Sequence, residues 1–172
     1  MGNSLKHKGT IPLSSHLLLK KLDELKISYT KYHHPPLFTV EDAKNYQKDM
    51  VGLHVKNLFL RDKKKNNFLF VAEQDSKIDL KSLHQKIGSA RLSFGRPDRL
   101  MQFLGVKPGA VSPLALINDI SNSVTLFFES SLESENALHF HPLVNDATIG
   151  IKLSEIYRFL RFTGHRLNFI KL

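Results

Sequence analysis

Apolar positions recur at two distinct periods along this chain, and the switches between them divide it into short helices and strands. From Ser14 onward Leu17, Leu18, Leu22 and Leu25 fall at helical spacing, with Ser14 or Ser15 as the cap. Ile27 to His33 reads as a strand, and His34-Pro35-Pro36 forces an extended turn. Thr39 followed by Asp42 is a capping-box pattern that opens a short helix through Tyr46. Leu53 to Arg61 and Phe68 to Glu73 are β-rich runs flanking the polar tip Asp62-Lys63-Lys64-Lys65-Asn66-Asn67, the signature of a hairpin. Asp79 predicts a helix that stops at Gly88. Ser93 or Pro97 opens another that stops at Gly105. Between these two helices Arg91 to Phe94 is extended, and Val106 to Pro113 is a Gly- and Pro-rich loop. Strands are predicted over Ser123–Glu129, Ala137–Phe140 and Thr148–Ile151. Ser154 caps a last helix ending near Gly164, and Arg166 to Lys171 closes the chain as a strand.

Strands and helices mix without regular βαβ alternation, which predicts the α+β class. The expected organisation is a flexible N-terminal segment over 1–13 and one domain over 14–172, a length able to bury a real core. Hydrophobic residues make up 41% of the chain, too many for a disordered one. Lysine and arginine total 25 against 16 acidic residues, and the net charge of +9 favours a polyanionic partner as well as solubility. With no cysteine, disulfides, thiol nucleophiles and thiolate zinc sites are excluded. No apolar run approaches the ~20 residues that span a bilayer, and Lys20 and Lys21 follow Leu17–Leu19 too closely for a signal peptide. A cytoplasmic protein is the expectation.

Three segments carry candidate chemistry. In Val55-Lys56-Asn57-Leu58-Phe59-Leu60, strand alternation sets Lys56 on the face of His54, Leu58 and Leu60. There it is either a lysine whose stem packs while its charge reaches water, or a cation lining an anion-binding pocket. Asn57 points the other way unless a bulge turns both into one pocket. Lys107-Pro108-Gly109-Ala110-Val111-Ser112-Pro113 gives Gly109 access to positive φ. Its successive N–H groups can converge on an oxyanion, or the segment is an ordinary turn. In the third segment His141 precedes Pro142, and Asn145 opens the next turn. His139 shares the parity of His141, but zinc needs three or four ligands and no third accompanies them, so no metal is expected. Gly-x-Ser-x-Gly, Gly-x-Gly-x-x-Gly and Walker loops are absent. Lys63 to Lys65, Arg91, Arg96 and Arg99 are either solvated charges or the approach for an RNA end.

Lys56-Asn57-Leu58-Phe59-Leu60, Gly109-x-x-x-Pro113 and His141-Pro142-x-x-Asn145 together resemble the YbaK-like aminoacyl-tRNA deacylases. The likeness is strongest to the free-standing prolyl-tRNA editing proteins of the PrdX type. His34-Pro35-Pro36-Leu37-Phe38-Thr39, Arg91-Leu92-Ser93-Phe94 and Leu116-Ile117-Asn118-Asp119 support it. The resemblance implies a curved, barrel-like mixed sheet surrounded by helices. It also implies a hydrolase, free of cofactors, that clears alanine from mischarged proline tRNA at its acceptor end. Prolyl-tRNA synthetase is an open partner. Another mischarged tRNA, or a non-catalytic tRNA- or synthetase-binding role, is the alternative. By the same resemblance Lys56, Gly109 and His141 are the catalytic group. Asn57, Ala110, Val111, Ser112, Pro113 and Asn145 bind substrate. One departure stands out: Asp146-Ala147-Thr148-Ile149-Gly150 replaces the threonine-rich stretch expected after Asn145.

Overall fold

The computed structural model describes residues 11–172, so most of the expected N-terminal segment lies outside the described residues. Leu13 donates its N–H to Asn118 Oδ1 at 2.9 Å, which ties the start of the described chain to the body.

The capping signals set most helix boundaries. Helix α1 spans Ser15–Glu24, and Ser14 Oγ accepts from the Leu17 N–H. Helix α2 spans Val40–Gln47 and begins with the reciprocal Thr39–Asp42 capping box. Asp79 caps α3 (Leu80–Ile87), Pro97 opens α4 (Pro97–Leu104), and Gly88, Gly105 and Gly164 end α3, α4 and α5 in the left-handed conformation. The last helix corrects the sequence reading. α5 spans Leu153–Thr163, Lys152 is its N-cap residue, and Ser154 lies inside the first turn. Strand β7 (Ala147–Lys152) runs straight into the helix and leaves no residue for a capping turn. Glu155 in that turn is engaged elsewhere, accepting the Ser28 N–H and pairing with Arg158.

The other strands are β1 (Tyr29–His33), β2 (Leu53–Asp62), β3 (Asn67–Glu73), β4 (Leu92–Phe94), β5 (Val124–Glu129), β6 (Ala137–Phe140) and β8 (Leu167–Ile170). They form one mixed sheet in the order β1-β7-β6-β2-β3-β5-β8, with β4 also on β2. Pairs β2–β6, β3–β5 and β5–β8 are parallel and the others antiparallel. The end strands β1 and β8 do not pair with each other, so this is an open sheet of the mixed α+β class.

Period-two alternation sends β3 side chains to two cores. Leu69 and Val71 join Leu18, Leu104, Phe128 and Phe159 in the larger one. Phe68, Phe70 and Ala72 meet Leu83 of α3 in the smaller. A strand covered on both faces reads as a continuous apolar run, as Phe68 to Ala72 does. Two 3-10 turns, Pro113–Asn118 and Ser130–Ser134, fall where the sequence predicts loop or no element. Among the described residues no helix is long and apolar enough to cross a membrane.

Candidate active site

The site originates in how β2 shares its two edges. β3 occupies one edge in unbroken register from Val55↔Glu73 to Arg61↔Asn67. β6 and β4 must therefore share the other. β6 meets it at Leu53 and His54, and β4 at Leu60 to Asp62. Between them no strand among the described residues pairs with that edge until Gly95 donates its N–H to Phe59 O at 2.8 Å. The His54 carbonyl and the Asp62 N–H bond on the β3 side. Alternation thus turns the C=O of Val55 and the N–H and C=O of Asn57 into the gap, the Val55 N–H being taken up by the parallel pairing with β6.

A cavity of about 270 Å³ opens there, lined on β2 by His54, Val55, Lys56 and Asn57. Its other walls come from α2 and its flanks (Phe38, Thr39, Ala43, Gln47), from Gly109 and Val111, and from His139, His141 and Thr148. The bulge needed to bring Lys56 and Asn57 together is absent. Both reach the cavity because it lies at a strand edge, not on a face.

Lys56 Nζ donates to the Ser76 carbonyl, in the turn after β3. Asn57 Oδ1 is buried and has no hydrogen-bond partner among the described residues. A buried amide acceptor left unmatched costs about 1–3 kcal/mol. The Gly109 loop is a β-turn: Ala110 donates to Lys107 O at 3.1 Å, with Pro108 and Gly109 (φ +89°) in the two central positions of a type II turn. That bond occupies the Ala110 N–H, and the Ala110 side chain packs in the main core. The N–H groups of Gly109, Val111 and Ser112 make no hydrogen bond to the described residues.

Ser112 is fully buried and donates its hydroxyl to His141 O at 2.8 Å, which locks the loop to the His141 turn. Pro113 opens the following 3-10 turn. Asn145 donates through Nδ2 to Leu37 O and accepts the Leu37 N–H at 3.1 Å, holding the His34–Leu37 turn in place. Lys56, Asn57, Gly109, Val111 and His141 therefore line the cavity, whereas Ala110, Ser112, Pro113 and Asn145 hold its walls.

His141 Nδ1 lies 2.8 Å from Ala147 O, which can only accept, so Nδ1 carries the proton and Nε2 is left as an acceptor. Nε2 makes no hydrogen bond to the described residues. Burial lowers the pKa of His141 and keeps its ring neutral. Behind it His34 bridges Pro35 O and Thr148 Oγ1, at 2.9 and 2.8 Å.

Sequence reasoning missed a second imidazole pair. His139 packs against His54, ring centroids 4.3 Å apart, and its Nε2 donates to Val51 O at 2.9 Å. The pairing is made by the parallel β2–β6 register His54↔His139, across residues far apart in sequence, and nothing local signals it. His139 thus partners His54, not His141. Among the described residues no three His, Cys, Asp or Glu cluster as metal ligands do.

Burial, followed by repulsion from His139, lowers His54 to about 4, and burial lowers His139. In the unfolded chain both titrate near 6.5. Below that pH the unfolded state binds more protons, so this contribution to stability is complete above 6.5 and lost as the pH falls toward 4. Thermal midpoints measured between pH 7.5 and 4.5 are expected to drop by roughly 5 °C or more, and His54→Asn to flatten the decline. A wild-type midpoint independent of pH would refute this.

The chain is similar to known proteins over most of its length. The chain is 40% identical over 156 residues to the prolyl-tRNA editing protein ProX of Acetoanaerobium sticklandii, covering 90% of this chain and 95% of that protein. It is 36% identical to prolyl-tRNA synthetase associated domain-containing protein 1 of Danio rerio, over 86% of this chain and 84% of that one. Its fold matches the crystal structure of a proposed trans-editing enzyme for prolyl tRNA synthetase with a TM-score of 0.68 at 18% identity, covering 93% of this chain and 99% of the other. The family model for the aminoacyl-tRNA editing domain matches residues 34–159, the span that contains every wall of the cavity. The chain belongs to the aminoacyl-tRNA editing domain family and is an aminoacyl-tRNA hydrolase.

Proposed function

We propose that this protein acts in trans on alanyl-tRNA(Pro), releasing alanine from the acceptor end. One observation carries the reading: an ammonium (Lys56), unengaged N–H groups (Gly109, Val111) and a neutral imidazole (His141) converge on one small cavity. That set suits an ester at the end of a phosphodiester chain. The similarity to a prolyl-tRNA editing protein supports proline tRNA as the carrier.

In this mechanism Lys56 and the Gly109-loop N–H groups polarise the ester carbonyl and stabilise the oxyanion as it forms. A water held against the carbonyl attacks its carbon, and the neighbouring ribose hydroxyl relays the water's proton to the departing ribose oxygen. The products are the free amino acid and a tRNA with both terminal hydroxyls restored. Holding the water in place supplies proximity, and the activated ester needs no strong protein base. His141 Nε2 accepts a hydrogen bond from that water or from the ribose. Because burial holds the imidazole neutral, this role persists at pH values where an exposed histidine is already protonated.

Selectivity is steric in this reading. A small cavity admits alanine and excludes proline, complementing a synthetase pocket that cannot reject the smaller side chain. A cytoplasmic location, alongside prolyl-tRNA synthetase, belongs to the same proposal.

The test is single-turnover hydrolysis of alanyl- and prolyl-tRNA(Pro). Fast release of alanine with proline retained supports the proposal. Release of another residue from a wider set of aminoacyl-tRNAs reassigns the pocket. No release from any of them leaves a tRNA-binding module.

A further inference from the structure

Glu129 lies at the end of β5, outside the cavity, yet its carboxylate holds the turn whose carbonyl Lys56 touches. The single oxygen Oε2 accepts the Glu73 N–H at 2.9 Å and the Ser76 hydroxyl at 2.8 Å. The Ser76 N–H bonds back to Glu73 O at 3.1 Å, closing the Glu73–Ser76 turn. This turn presents the Ser76 carbonyl to Lys56 Nζ. The parallel register of β3 on β5, through Val71↔Phe128, brings Glu129 to this point. The same turn holds the cavity's opposite wall. Gln74 and Gln47 of α2 exchange amide hydrogen bonds at 2.7 and 3.3 Å, and Lys44 of α2 lies 3.9 Å from Asp75.

We infer that Glu129 is a positioning residue for Lys56, acting through Ser76. A lysine stem has four rotatable bonds, so the ammonium is usefully placed only if its resting acceptor is fixed. The Ser76 carbonyl is that acceptor. It is fixed because one carboxylate oxygen gathers a main-chain and a side-chain donor from the same turn. The inference rests on the proposed role of Lys56 and adds a residue that no motif marks.

The test is a double-mutant cycle with a readout that needs no substrate. Glu129→Ala is expected to slow single-turnover hydrolysis of alanyl-tRNA(Pro) roughly 10- to 100-fold, with half-saturating enzyme concentration unchanged. Glu129→Gln keeps one carbonyl oxygen able to take both bonds and should stay within about threefold of wild type. Ser76→Ala keeps the carbonyl, removes one of the two bonds and should fall between them. In a Lys56→Ala background Glu129→Ala should add less than about twofold.

Independently, protein carrying 15N-labelled lysine reports the Lys56 ammonium, assigned through Lys56→Arg. Its proton exchange should quicken roughly five- to tenfold in Glu129→Ala. An equal rate loss in both backgrounds, with ammonium exchange unchanged, would overturn the inference and leave Glu129 as a fold residue. If wild-type protein releases no alanine but the ammonium still responds to Glu129, the positioning stands and the proposed reaction falls.

Discussion

Lys56→Ala is expected to lower the single-turnover rate on alanyl-tRNA(Pro) by roughly 100- to 1000-fold, about 3–4 kcal/mol of transition-state stabilisation. The size follows from where the charge sits. Lys56 is half-buried, beside a strand edge that no described strand covers, and among the described residues its acceptor is the Ser76 carbonyl. A cation held this way interacts with a developing oxyanion through little water, where attraction is far stronger than at a solvated surface. Affinity for tRNA should change far less, since one phosphate contact among many is at stake. Lys56→Arg should not restore the rate, because a planar guanidinium cannot replace a compact ammonium in a cavity of about 270 Å³. If Lys56→Ala weakened tRNA binding and left hydrolysis unchanged, the oxyanion role would be lost.

The second large effect concerns stability, and it lies just before β2. Gly52 has φ +127°, a conformation L side chains rarely adopt, and an added Cβ would sit 2.9 Å from the Ala137 carbonyl oxygen and 3.2 Å from His139 Nε2. Neither neighbour can yield cheaply. The carbonyl belongs to β6, which pairs with β2 at the next residues, and the imidazole is held by Val51 O. Backbone strain of about 1–3 kcal/mol together with overpacking of similar size predicts that Gly52→Ala costs about 2–4 kcal/mol. The melting midpoint should fall by roughly 5–15 °C. The same substitution presses β6 away from β2 and should slow alanine release. An unchanged midpoint would mean that the Val51–Leu53 entry is looser than its contacts indicate.

What the sequence discloses here is local. Thr39 and Asp42 announce α2, and Gly88, Gly105 and Gly164 mark helix ends, because capping chemistry acts within a turn. Ser154 misleads because a cap needs an extended residue free of other duties, and β7 occupies the chain up to Lys152. Alternation correctly separates Lys56 from Asn57 but says nothing about the shared gap, which depends on where β4 and β6 stop. The His54–His139 pair and the Glu129–Ser76 link are likewise products of parallel registers. In the Gly109 loop the sequence reveals the positive φ of Gly109. It does not reveal that the turn takes up the Ala110 N–H and leaves those of Gly109 and Val111 unengaged.

On the proposed function, the gap on β2 would also set a ruler for the substrate. Its length is the interval between the last residue paired with β6, His54, and the first held on the β4 side, Phe59. At about 3.3 Å per residue this window is ~16 Å long, enough for an aminoacyl ester and its ribose. Extending β4 by two residues, through Gly95 and Arg96, would seal part of it with main-chain hydrogen bonds while altering no side chain in the cavity. Under the proposed function, reach along the acceptor end follows strand length, and choice of amino acid follows the side chains behind it. The two properties can diverge independently among proteins that share this sheet.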